Sequence, residues 1–92
     1  MAALKTIDSA LLAQLPLSDI EEVAFYKRDE ITTDLICCDI RLGGKIWVFH
    51  EEVIGWDLLI RHLQDLPGWR SDWFGSVSLP PFAECRVVAF SR

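Results

Sequence analysis

The alternation of apolar and polar positions opens with a short helical pattern. Leu11, Leu12 and Leu15 recur at the three-to-four spacing of one helix face, Thr6 or Asp8 stands where an N-cap belongs, and Pro16 stops the helix after Leu15. From Ile20 the period falls to two. Val23 and Phe25 alternate with Glu22, Ala24 and Tyr26, which predicts a half-buried strand ending near Arg28, with a turn at Asp29-Glu30. A second strand is expected from Thr32 or Thr33 to Leu42, and Gly43-Gly44 joins it to a third, Lys45 to His50. Two glycines between β-rich runs supply the positive φ angles of a tight hairpin turn.

That turn fixes a register. Leu42 then faces Lys45, Ile40 faces Trp47 and Cys38 faces Phe49, and with Ile36, Val23 and Phe25 these make one apolar sheet face. The other face is mixed: Leu35, Cys37, Asp39 and Arg41 on the second strand, and Ile46, Val48 and His50 on the third. A two- or four-residue turn at Asp29-Glu30 adds Glu22, Ala24 and Tyr26 to it.

The main helix is predicted from about Val53 to Leu66, with Val53, Trp56, Ile60 and Leu63 in one stripe aimed at the apolar face. Pro67-Gly68 ends it, Ser71 caps a single turn through Phe74, and Gly75 stops that turn. Pro80-Pro81 leads in extended form to a last strand, Glu84 to Phe90. The order α-β-β-β-α-β describes a two-layer α+β sandwich with a mainly antiparallel four-stranded sheet.

Composition narrows the function. The chain has 92 residues, 51% hydrophobic, which describes a single domain spanning 1–92. At that length folding buries only about 60 to 65% of the unfolded chain's surface. With 14 acidic against 9 basic side chains the net charge is -5, and the longest basic run is Lys27-Arg28. Phosphate neutralisation needs clustered Lys and Arg, so nucleic acid is not an expected partner. No segment reaches the roughly 18 apolar residues of a membrane span. The three cysteines are odd in number, Cys37 and Cys38 are adjacent, and no C-x-x-C occurs, as in a reduced cytoplasmic protein.

Candidate chemistry follows from the register. Cys37 lies across from His50, Asp39 is two residues along, and Glu22 is near them. Thiol, imidazole and carboxylate are the ingredients of a cysteine nucleophile with its base and orienting acid, yet nothing supplies an oxyanion hole. His50, Glu51, Glu52 and His62 include metal-ligand types without a metal-site spacing, and Glu51-Glu52 is better placed to favour the main helix N-terminus. No nucleotide-binding or hydrolase motif is present, so neither a cofactor nor a metal is expected.

Two regions are candidates for binding a protein. Trp69, Arg70, Asp72, Trp73, Phe74 and Phe82 gather within a loop-like stretch, where Trp and Arg suit a binding hot spot and the aromatics equally suit closure of a small core. Asp19, Glu21, Glu22, Asp29, Glu30 and Asp39 cluster on the first strand, its turn and the mixed face, as solvated edge charges or as a docking surface for a basic partner.

At Leu66-Pro67-Gly68-Trp69, followed by the short turn containing Trp73 and a final strand, the chain resembles small bacterial proteins, some of them similar to immunity proteins of toxin systems. The resemblance covers about 30 residues; Pro80-Pro81 and a longer loop depart from it. It implies an acidic protein that acts by occupying a partner and carries no catalytic residues over.

The expectation is a non-enzymatic protein-interaction module, binding through the acidic strand surface (Glu21, Glu22, Asp39) or the Trp69–Phe82 loop (Trp69, Arg70, Trp73, Phe74). A homodimer ranks next, because Leu35, Ile46 and Val48 call for a cover. The alternative is a small thiol-dependent enzyme or redox sensor built on Cys37, His50 and Asp39.

Overall fold

Asp8 caps the first helix as its position suggests: its carboxylate accepts from the Leu11 N–H at 2.9 Å. The computed structural model describes residues 6–29, 34–78 and 86–91. Its elements are α1 (Ser9–Leu12), a 3-10 turn at Leu17–Asp19, β1 (Ile20–Asp29), β2 (Asp34–Leu42), β3 (Lys45–His50), α2 (Trp56–Leu63), α3 (Trp73–Ser78) and β4 (Arg86–Ser91). The strands form one antiparallel sheet in the order β3-β2-β1-β4, so the last strand lies beside the first. This is the expected α+β class.

The hairpin behaves as two positive-φ residues require. Gly43 (φ 59°) and Gly44 (φ 79°) turn the chain, and Leu42–Lys45, Ile40–Trp47, Cys38–Phe49 and Cys37–His50 pair across it. In β1 and β2, Val23 faces Ile40, Phe25 faces Cys38 and Asp29 faces Asp34. Four residues therefore separate these ends, which gives the anticipated parity; the turn itself, with Glu30, Thr32 and Thr33, lies outside the described residues.

Helices α1 and α2 sit on the same side of the sheet. Ile7, Leu11 and Leu15 join Val23, Phe25, Ile36, Cys38, Ile40, Phe49, Leu59 and Leu63 in one buried cluster. The Ile7 N–H donates to Ile54 O at 2.8 Å, and His62 Nε2 is 2.7 Å from Leu15 O, tying the first segment to α2. The first helix thus covers the apolar face and not the mixed one.

Phe25 is the hub. Its ring stacks on Trp73 (centroids 3.8 Å apart, 13° between planes) and meets Trp56 and Trp69 edge-on at 6.2 and 5.9 Å. Pairs of this kind contribute about 0.5–1.5 kcal/mol each beyond their burial.

Several boundaries differ from expectation. The main helix begins at Trp56 and not at Val53, because Gly55 takes φ 93° at its N-cap. Val53 instead closes a turn onto His50 O at 3.0 Å while keeping its side chain buried. The helix ends at Leu63, and Leu66 packs from the turn that follows. Gly75 does not stop the next turn: it lies inside α3, which starts at Trp73 and runs to Ser78. A 3-10 turn at Leu17–Asp19 is additional to the expected elements. Pro80, Pro81, Phe82, Glu84 and Cys85 lie outside the described residues. In β4, Phe90 faces Val23 and Val88 faces Ala24, so Ala89 is an extra, bulged residue. Its carbonyl accepts from the Arg70 N–H at 2.9 Å, fastening the aromatic loop to that edge.

Candidate functional site

The face opposite the helices is built of cross-strand rows. One runs Ile46–Arg41–Glu22, the next Val48–Asp39–Ala24–Val88, and the third His50–Cys37–Tyr26–Arg86. Cys37 and His50 are neighbours, as the hairpin register demanded, and Asp39 shares their face. Cys37 is 1% exposed and its thiol donates to Leu35 O at 3.8 Å. His50 Nδ1 accepts from the Glu52 N–H at 3.2 Å, which leaves Nε2 as the protonated nitrogen of the neutral ring.

Burial, and next the charge of the adjacent Asp39 carboxylate, push the Tyr26 hydroxyl up to about 12. Cys38, fully buried on the core face, is held well above the usual thiol range, again by burial first and then by Asp39. Asp39 Oδ1 is itself buried and accepts no hydrogen bond among the described residues.

Three of the acidic residues singled out in the sequence, Glu21, Glu22 and Asp39, are bridged by arginine. Arg41 lies 3.5 Å from both Glu21 and Glu22; Arg86 lies 3.3 Å from Glu22 and 3.5 Å from Asp39. Partly exposed pairs of this kind add about 0–1 kcal/mol each. Their larger effect is to convert three carboxylates into a lattice of both signs. Asp19 is exposed on the 3-10 turn; the Asp29 side chain and Glu30 are not among those described.

The candidate metal ligands do not converge on one point. His62 serves Leu15, Glu51 Oε1 accepts from the Ile36 N–H at 3.2 Å, and no group of three ligand-type residues forms among the described residues. Glu51 therefore extends the β2–β3 ladder and does not stand at the helix N-terminus, which Gly55 delays to Trp56. In the aromatic loop, Trp73 is buried and Trp69 half-buried against Phe25. Arg70 and Asp72 pair at the surface at 2.8 Å, and Phe74 is 56% exposed beside Trp73.

Strand β3 is an edge of the sheet that no local sequence signal marks. Among the described residues no strand pairs with its outer side. The Glu51 N–H donates to Ile36 O, so Glu51, Phe49, Trp47 and Lys45 turn their backbone groups towards β2, and Ile46, Val48 and His50 turn theirs away. The His50 carbonyl is taken by the Val53 N–H. Ile46 and Val48 keep an outward N–H and C=O each, and their side chains, 61% and 54% exposed, stand on the open face. The alternation Ile46-Trp47-Val48-Phe49 carried the signal for the side chains. The edge position depended on where β4 pairs, which no local pattern specifies.

No family model, curated protein or solved structure matches this chain. Among the described residues no helix is long and apolar enough to cross a membrane.

Proposed function

We propose that this chain is a non-enzymatic protein-interaction module that accepts an extended protein segment along β3, beside the open face of the sheet. The supporting observation is the pairing of two properties at Ile46 and Val48: outward backbone groups and side chains 61% and 54% exposed. An edge of this kind adds a strand through main-chain hydrogen bonds and reads alternate side chains on the face. Glu21, Glu22 and Asp39, held in the lattice with Arg41 and Arg86, border that face on the inner strands. The net charge of -5 gives no field for nucleic acid.

The thiol-enzyme alternative is less well supported, because the Cys37 thiol is sealed and the His50 ring is engaged with backbone. Occupying a partner without chemistry is also how an immunity-type protein acts. That narrower role rests on the Leu66–Trp69 bend, where Leu66 is buried and Gly68 takes φ 69°. A cytoplasmic setting accords with Cys37 and Cys38, both buried and in no disulfide.

The test is photo-crosslinking in cells from position 46, with position 58 on the helix side as the control. A polypeptide adduct from 46 and none from 58 is the expected result. No adduct from 46 overturns the proposal.

A further inference from the structure

The module's partner has a specific identity, an inference that rests on the reading of β3 as a binding edge. We propose that β3 pairs with β3 of a second copy of this chain, antiparallel about a twofold axis, to make one eight-stranded sheet.

The two edges of the sheet are built differently. Strand β4 carries the bulge at Ala89, the charged Arg86 and the backbone contact from Arg70, all features that discourage edge pairing. Strand β3 has a regular register from Lys45 to His50, with no bulge and no proline. A regular edge that no other described strand covers, with Ile46 and Val48 exposed along it, is the form that pairs.

Its sequence is complementary to itself. Ile46 and Val48 are the residues with outward backbone groups, and in an antiparallel pair they fall opposite one another when the axis passes at Trp47. Each then exchanges both backbone hydrogen bonds with its counterpart, and the side chains form β-branched pairs across the new seam. On the helix side the same axis sets Trp47, half-buried and stacked with Phe49, beside Trp47 of the second copy.

Charge selects the same arrangement. Strand β3 begins at Lys45 and is followed at its other end by Glu51 and Glu52, all exposed. Antiparallel self-pairing brings the Lys45 end of each copy to the Glu51-Glu52 end of the other, whereas parallel pairing would place like charges together.

The test is sedimentation equilibrium on the wild type, Val48→Pro and Ile46→Lys, with circular dichroism confirming the fold. The Val48 N–H points away from β2, so a proline there blocks the outer edge without removing an inner hydrogen bond. Ile46→Lys provides an independent variant should the proline disturb the strand. The wild type is expected to form a reversible dimer at roughly 0.1 mM protein, with each folded variant raising the dimer Kd at least about tenfold. A wild type that remains monomeric, or a dimer that neither variant weakens, overturns the second copy as partner. A monomer that still gives position-46 adducts with another protein in cells overturns self-pairing alone; absence of any adduct removes the binding-edge reading itself.

Discussion

Tyr26 is the chain's single tyrosine, so its ionisation can be followed without interference from another. In the folded protein it titrates near 12, against about 10 for an unperturbed phenol. A raised acid pKa means that the folded state holds the proton longer than the unfolded one. Its effect on stability is thus constant below about pH 10 and turns unfavourable as pH rises from 10 towards 12. Spectrophotometric titration is expected to give a midpoint near 12 in the wild type and a lower one in Asp39→Asn, since the Asp39 charge is the second cause of the shift. An ordinary midpoint in the folded wild type would contradict the burial of Tyr26 and, with it, its placement beside Asp39. At this scale the sequence was informative about neighbours and silent about burial. It set Cys37 across from His50 correctly, yet nothing local indicated that Cys37 would be sealed or that the His50 ring would turn to the Glu52 backbone.

At the scale of elements, Gly55 is the clearest point of control. Its φ is 93°, and a Cβ there would fall on the Ile7 carbonyl, with Ile7 C at 2.9 Å. Gly55→Ala is expected to destabilise the fold by about 2 kcal/mol or more, through both backbone strain and displacement of the first segment. Urea denaturation measures this, and a loss under about 0.5 kcal/mol would contradict it. Gly44→Asn is the comparison: its φ is also positive, but nothing lies within 4 Å of the added Cβ, and the cost should be small.

The strands and the Gly43-Gly44 register were legible because period-two alternation and a two-glycine loop are local signals. The helix boundaries were less so. Val53 continues the apolar stripe of α2 yet belongs to the turn before it, and Leu66 does the same after it. Apolar periodicity records which side chains reach the core, and a residue in a turn can reach it as well as one in a helix. Gly75 shows the converse: a glycine with the propensity to end a helix is carried through α3, whose first residue Trp73 is anchored on Phe25.

At the scale of the whole molecule, the helices among the described residues all serve one side of the sheet, and the two edges are unequally protected. The strand order follows from β4 pairing with β1, a long-range choice that left β3 outermost. The apolar residues expected to need a cover divide accordingly. Leu35 is buried, whereas Ile46 and Val48 remain exposed at the open edge. The aromatic loop, one of the two sequence-level binding regions, has turned Trp73 and Trp69 to the core, leaving Arg70 and Phe74 at the surface.

The most direct measurement on β3 is residue-resolved amide exchange at two protein concentrations. If the edge pairs with a second copy, the Ile46 and Val48 amides exchange rapidly in dilute protein and at least about tenfold more slowly near 1 mM, while Trp47 and Phe49, bonded to β2, are protected at both. Exchange at Ile46 and Val48 that is fast and independent of concentration would contradict it.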